Sequence, residues 1–460
     1  MNANPDLEAS RPSLARYGRL VSVSLPCEGM SARDFLRHAV GQARLYWEDP
    51  QDGIALAGAG IALELMGWGQ ARFTSVQAQA QELFADAHLE TEPLAMPRLF
   101  GGFAFRDDFV PDNTWADFTP AHFVLPHYQL VQHGEQSTLT INAHVPHDEN
   151  LADALISLRE ALQARIAWLK ATPAPANPAS NPVLAHDYPM TFAEWEQAIV
   201  HVTARMKRAE LKKIVLSRVA ELRFMHRVNV DSALDDLAQK YPQTYRFLFE
   251  PRPYHAFYGA TPEMLADVRG RTLRTMGLAG SVRRGQTPQE DDALAQQLLQ
   301  DPKERYEHGL VVEAIRARLE ASAQAVRVAP TGVMRLSNIQ HLYTPIEADL
   351  RGEDGALAWV ARLHPTPALG GEPRELALEA IGQYESVTRG WFGAPIGWLD
   401  ARGGGQFAVA IRSAVAQDRR VWLYAGAGIV AESVAQREWD ETALKFKPML
   451  QAHNAEARGA

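Results

Sequence analysis

Cysteine is almost missing from this chain. Of 460 residues only Cys27 carries a thiol, which excludes an intrachain disulfide and suits a reducing compartment. Positive charge is also in deficit, since 46 Lys and Arg against 55 Asp and Glu leave a formal net charge of −9. No basic stripe is therefore available to displace counter-ions from a phosphate backbone, and no nucleic-acid partner is expected. Nowhere does an apolar run reach the roughly 18 residues that a membrane-spanning helix needs. The first residues, MNANPDLEASRPSLARYG, carry acids and a proline where a signal peptide requires an apolar stretch. A cytoplasmic protein without a membrane partner is the expectation. Internal repeats are lacking too, as is the βαβ cadence of a simple parallel sheet.

What is present is an ordinary globular composition, 46% hydrophobic and 22% charged. One composition shift resembles a linker, ATPAPANPASNPVLAHD at 171–187, rich in Pro, Ala and Asn. It suggests a flexible tail over 1–17, an N-terminal lobe over 18–170, the linker, a larger region over 188–452 and a short tail over 453–460. GRLVSVSLP, FGGFAF and STLTINAHVP read as strands, and LADALISLREALQARIAWLKA has the period of an amphipathic helix. After the linker, KIVLSRVAELRF, YRFLFEP, HAFYGATPEML, TLRTMGLAGSV, GQFAVAIRSAVAQ and RVWLYAGAGIV are strand-like runs interleaved with helices. The expected class is α+β, with mixed, largely antiparallel sheets forming a sandwich core and helices packed outside.

Two stretches carry an unusual charge pattern. DPKERYEHGLVVEAIRARLE places Glu304 and Glu307 three apart at the start of an otherwise apolar helix, and SVAQREWDETALKF repeats the spacing with Glu438 and Glu441. Like charges at i and i+3 meet on one helix face and repel. Asp301 and Pro302 read as N-cap and N1, which makes Glu304 the N3 member of a capping box. His308, Val311, Val312, Ile315 and Leu319 form the apolar stripe, with Glu304 inside it and Glu307 on its flank. Capping leaves Glu307 unexplained. A carboxylate drawn toward a core must be protonated, paired or bound to a cation, because desolvating the ion costs several kcal/mol. In the second stretch Ser433 and Gln436 suggest another capping box, and Trp439, Ala443, Phe446 and Leu450 the buried stripe. On periodicity alone Glu438, Glu441 and Lys445 then line a solvated face. Two such pairs on separate helices would also supply oxygen ligands for a hard cation such as Mg²⁺.

Taken in order, KIVLSRV, GATPEML, LAGSVRRG, KERYEH, QHL, LHPTPALGG, QFAVAIRSA, AGAGIV and REWDET resemble the successive motifs of the chorismate-utilising enzymes, over roughly residues 190–450. That family includes isochorismate, salicylate, anthranilate and aminodeoxychorismate synthases, and FGGFAF resembles the isochorismate synthases in particular. The resemblance implies that the two E-x-x-E helices face each other across a cleft and hold one Mg²⁺. Glu307 and Glu441 would be direct ligands, with Glu304 and Glu438 acting directly or through water. It implies Lys213 as the base that activates the nucleophile and Glu263 as the acid for the departing hydroxyl. Gly280 and Ser281 would donate to the ring carboxylate of chorismate, His341 would lie near the leaving hydroxyl and Arg412 would pair with the enolpyruvyl carboxylate. Gly426 and Gly428 would offer backbone N–H groups, and Lys445 would complete the substrate site.

The resemblance also discriminates within the family. Ammonia-using members carry glutamine where Lys213 stands, so the lysine implies water as nucleophile and no glutamine amidotransferase subunit. Ala279 occupies the place of the lysine found in aminodeoxychorismate synthases. LHPTPALGG, with His364 and Thr366, is more similar to isochorismate than to salicylate synthases. An isochorismate synthase is the expected activity, with a salicylate synthase or a non-catalytic chorismate-binding subunit as alternatives. Phe392 departs from the many relatives that carry a tyrosine there, removing a hydrogen bond worth about 1 kcal/mol.

Overall fold

The computed structural model describes residues 18–177, 181–352 and 354–455. The tail expected over 1–17, residues 178–180 of the linker and 456–460 of the C-terminal tail lie outside the described residues. The described strands gather into sheets of thirteen and ten strands, counting two side strands, Gly371–Glu372 beside Lys213–Phe224 in the larger and Gly332–Arg335 beside Ile339–Leu350 in the smaller. From one edge the larger sheet runs Val183–Asp187, Lys213–Phe224, Arg420–Ile429, Ser413–Gln417, His255–Thr261 and Tyr245–Arg252. It continues through Arg44–Asp49, Ile54–Ala59, Tyr128–His133, Gln136–Pro146, Gly18–Pro26 and His88–Glu90. The smaller sheet runs from Ala323–Val328 through Ile339–Leu350, Thr272–Arg283, Met264–Arg269, Gly405–Val409, Pro395–Asp400, Arg98–Phe103 and Ala121–Leu125 to Leu63–Gly67. Among the described residues only Gly18–Pro26 with His88–Glu90 pairs in parallel. Both sheets cross the boundary between the two sides of the linker, at Phe247 opposite Trp47 and at Trp398 opposite Phe100.

Strand alternation decides which side chains meet. Leu45, Trp47, Phe247, Phe249 and Phe257 of the larger sheet meet Phe100, Met264, Ile396 and Ala408 of the smaller one in an aromatic-rich layer between the sheets. Their neighbours Tyr46, Leu248, Ala256 and Tyr258 point the other way, under the helices Ala32–His38, Val230–Lys240 and Ala435–Ala452. Both faces are thus covered, which is why these strands read as nearly continuous apolar runs. On the outer face of the smaller sheet, Val311 and Ile315 from helix Pro302–Glu320 pack with Leu273 and Ile346, beside helices Arg72–Ala85 and Gly355–Leu363. No described helix is long and apolar enough to cross a membrane.

Two expected strands divide. HAFYGATPEML becomes His255–Thr261 in the larger sheet and Met264–Arg269 in the smaller one, with the break at Pro262, which has no N–H for a ladder. GQFAVAIRSAVAQ becomes Gly405–Val409 and Ser413–Gln417, separated by a crossing in which Arg412 adopts φ +50°. A positive φ is uncommon for a residue with a Cβ. The two crossings are bonded together, since Val409 N–H donates to Glu263 C=O and Ala260 N–H to Arg412 C=O. The last residues of the linker are not loop, for Val183–Asp187 pairs with the strand Lys213–Phe224. His453, placed at the start of the tail, is buried and its Nε2 meets the Tyr258 hydroxyl.

Candidate active site

Where the sheets part at these crossings a cleft opens, about 650 Å³ of empty space including the open solvent at its mouth. Glu263, Gly280, Ser281, Glu307, His341, Arg412, Gly426, Gly428, Glu441 and Lys445 line it. The remaining three expected site residues, Lys213, Glu304 and Glu438, are not part of that lining; Lys213 pairs with Glu307 of the lining, whereas Glu304 and Glu438 both contact Lys303.

Glu263 follows Pro262 in the crossing and is 3% exposed. Burial pushes its carboxyl up to about 8, against the opposing pull of Lys213 and Lys445. It therefore holds its proton at neutral pH. Lys213, the first residue of its strand, is 0% exposed, and its Nζ lies 2.8 Å from Glu307 Oε1. That contact is an ion pair by distance, but Nζ has no acceptor in hydrogen-bonding direction. Burial raises the Glu307 carboxyl, but Lys213, joined by Lys303 and Lys445, pulls the other way, and the group ends below its ordinary value.

The other acids are likewise matched with lysines. Lys445 Nζ sits 2.6 Å from Glu441 Oε1 and donates to Gly426 C=O at 2.9 Å. Lys303 Nζ donates to Glu438 Oε1 at 3.0 Å and lies 3.6 Å from Glu304 Oε1. Burial works against the charge on Lys303, but Glu438 and Glu304 hold its titration above the ordinary lysine range. Burial together with the Glu307 and Glu441 charges lifts Glu304 to about 7, and burial with Glu441 raises Glu438.

Several expectations for these helices are corrected. Asp301 does cap Pro302–Glu320, accepting from Lys303 N–H and Glu304 N–H, but Glu304 does not close a capping box. Its Oε2 accepts from Ser281 N–H at 3.1 Å instead, so that amide is not free for a substrate carboxylate. Glu307, expected on the flank, is the buried member of its pair at 7% exposure, whereas Glu304 is intermediate. Ser433 and Gln436 form no capping box either. Ser433 Oγ accepts from Val430 N–H, Gln436 donates to Asp440, and the helix Ala435–Ala452 starts without a side-chain cap. Glu438 is not on a solvated face, being 1% exposed.

Gly280 is an extra residue inserted in the strand Thr272–Arg283, where the register against Ile339–Leu350 shifts between Ala279 and Ser281. Its φ of +77° and the 3.1 Å from a would-be Cβ to Glu304 Oε2 both call for glycine. The bulge turns Gly280 C=O toward His341, 3.3 Å from Nδ1. A ring that donates from Nδ1 presents the Nε2 lone pair to Arg412 Nη2, 3.4 Å away. Burial and Arg412 hold His341 neutral, far below its usual range. Burial also pulls Arg412 down to about 10, and among the described residues no carboxylate pairs with this guanidinium. A buried cation without a counter-ion, opening on a cleft, is a receptor for an anion.

Among the described residues no three acidic, histidine or cysteine groups converge as a ready-made metal cage. The donor set nevertheless fits a hard divalent cation. Three ammonium groups face four carboxylates, leaving one carboxylate more than the ammonium groups can match. A Cβ on Gly428 would lie 2.2 Å from Glu307 Oε1 and 3.2 Å from Lys213 Cε. Gly428→Ala is therefore expected to push Glu307 from its place and to lower turnover at least tenfold while circular dichroism stays unchanged; full activity would show that Glu307 has room to spare.

Sequence reasoning missed Lys303 and the apolar wall formed by Val215, Leu369, Ile411 and Tyr424. Lys303 did leave a signal, because a lysine in the first helical turn opposes the helix dipole and needs another partner. His364 and Thr366 are buried away from the cleft lining, with His364 Nε2 3.0 Å from Phe105 C=O; their segment reaches the cleft through Ala368 and Leu369. Phe392 lines the cleft and stacks on Tyr424 at 5.3 Å between centroids.

A two-sheet sandwich with acidic and basic residues converging where its strands change sheet defines a class, and comparison with known proteins names it. The family model for chorismate binding enzyme matches residues 8–454, and the chain belongs to that family. It is similar to the salicylate biosynthesis isochorismate synthase of Pseudomonas aeruginosa, 37% identical over 89% of this chain and 85% of the relative. The isochorismate synthase MenF of Bacillus subtilis is 31% identical over 95% of this chain and 94% of its own. Among solved structures, the menaquinone-specific isochorismate synthase MenF from Escherichia coli superposes with a TM-score of 0.80 at 26% identity, covering 97% of each chain.

Proposed function

We propose that the chain is an isochorismate synthase, an isomerase acting on chorismate. Water adds at C2 of the ring while the C4 hydroxyl leaves, so one water is consumed and one released. Glu263 gives its proton to the departing C4 oxygen as that C–O bond breaks. Lys213, acting as an amine, takes the proton that the incoming water loses. Arg412 receives the enolpyruvyl carboxylate, and neutral His341 stands beside it without adding charge.

Mg²⁺ is the cofactor in this reading, and when bound it would supply positive charge against the ring carboxylate. Glu307 and Glu441 would hold it, with Glu304 and Glu438 joining directly or through water. Gly280, Ser281 through its hydroxyl, Gly426, Gly428 and Lys445 complete the substrate site. No amidotransferase subunit is needed, since the nucleophile is water, and the single buried Cys27 suits a cytoplasmic location.

The observation that carries this reading is Glu263, a buried, proton-holding carboxyl in the same cleft as the unpaired guanidinium of Arg412. Incubation with chorismate and Mg²⁺ followed by chromatography tests it. Isochorismate is the expected product. Fluorescent salicylate with released pyruvate would replace the reading with a salicylate synthase, and intact substrate binding without turnover would favour a binding subunit.

A further inference from the structure

Lys303 has no part in the proposed chemistry, yet it joins the two acidic helices. Its backbone belongs to the first turn of Pro302–Glu320, while its ammonium reaches Glu438 on Ala435–Ala452 at 3.0 Å. It also lies 3.6 Å from Glu304 of its own helix. One ammonium thus contacts one acid of each E-x-x-E pair. Glu438 is almost fully buried, so its carboxylate cannot turn to bulk water for compensation. Lys213 and Lys445 each serve a single carboxylate of the cleft, Glu307 and Glu441 respectively. Lys303 is different, because it is the one that spans the gap between the helices.

We propose that Lys303 is a resident counter-ion that holds the two acidic helices together when no divalent cation is bound, and that it competes with that cation for Glu304 and Glu438. The inference rests on the reading of the four acids as a Mg²⁺ site. Metal binding is then an exchange, in which the ammonium must withdraw from at least one carboxylate as the cation enters. Lys303 is 28% exposed at its side chain, so it has a route outward. The exchange sets affinity by subtraction. The stronger the ammonium's hold on Glu438, the higher the Mg²⁺ concentration required. A fixed positive charge a few ångström from a divalent ion also repels it directly.

Removing the charge should therefore act oppositely on the two states. Protein stripped of metal with a chelator and dialysed is compared as wild type, Lys303→Met and Lys303→Arg. Mg²⁺ alone is titrated by calorimetry without substrate, and melting temperature is followed against Mg²⁺ concentration. Lys303→Met is expected to melt below wild type when metal-free, yet to bind Mg²⁺ about tenfold more tightly, the scale expected for deleting one partly screened charge beside a divalent ion. Lys303→Arg, which keeps the charge, should behave like wild type. A lysine serving only to hold the fold would lower the melting temperature without tightening the metal. If Lys303→Met does not fold, Lys303→Gln gives the same affinity readout with a polar partner left for Glu438. Wild type that binds no Mg²⁺ at any concentration overturns the metal reading beneath the inference. Wild type that binds, with the neutral variants binding no more tightly, overturns the inference alone.

Discussion

Glu263→Gln is expected to fold, to bind chorismate and to lose turnover by roughly 10²–10⁴-fold, the usual share of a general acid. The amide fills the same space between Pro262 and Met264 but has no acidic proton to give to the leaving oxygen. The pH dependence follows from the carboxyl's position at about 8. In the proposed acid role the protonated form is the competent one, so wild-type activity should fall as pH rises through about 8. Stability moves in the same direction. Between its ordinary value and about 8 the unfolded chain has released this proton while the folded chain still holds it, so wild-type stability declines across that window. Glutamine has no proton to lose, and the variant should gain relative to wild type as the pH climbs. Rate profiles, calorimetric titration with chorismate and urea unfolding at several pH values measure the three effects. A variant with wild-type rates removes Glu263 from the acid's role, and one that neither binds nor folds says nothing special about proton transfer.

The difference between what the sequence displayed and what it concealed is one of range. GRLVSVSLP, TLRTMGLAGSV and RVWLYAGAGIV are strands over Gly18–Pro26, Thr272–Arg283 and Arg420–Ile429, and the helix at Leu151–Ala171 has the bounds its apolar period suggested. Local pattern suffices there. It fails at Ala410–Arg412, where small and apolar residues continue through a change of sheet, because the cause is a positive φ at Arg412 and a distant bond to Ala260. Chain order also hid the pairing of Phe247 with Trp47, which carries the larger sheet across the linker boundary. In the candidate site the residue identities were legible from ordered motifs, whereas their burial was not. Glu304 and Glu307 stand one turn before His308 and Val311, so the helical period admits either on the buried face. What decides is packing, since Lys213 offers Glu307 a buried partner and Ser281 N–H draws Glu304 toward the bulge. Ser433 looked like a cap for the same reason, but Val430 N–H reaches its hydroxyl first.

Glu307→Ala should abolish turnover and also weaken the fold, and the two losses can be separated. Lys213 is fully buried and its close counter-ion is Glu307. Deleting that carboxylate strands an ammonium in the interior, which typically costs about 3–5 kcal/mol. Replacing the whole pair has a different outcome, because an apolar pair of similar volume removes the stranded charge as well as the attraction. Lys213→Met combined with Glu307→Leu should therefore recover most of the stability lost in Glu307→Ala, giving a coupling that neither single change explains. Activity should not recover, since the double variant has neither the proposed base nor the carboxylate proposed to hold Mg²⁺. Thermal unfolding of the single and double variants with product chromatography reads both quantities. The pairing fails if Glu307→Ala is as stable as wild type, and the functional assignment fails if that variant still turns over chorismate without regard to Mg²⁺.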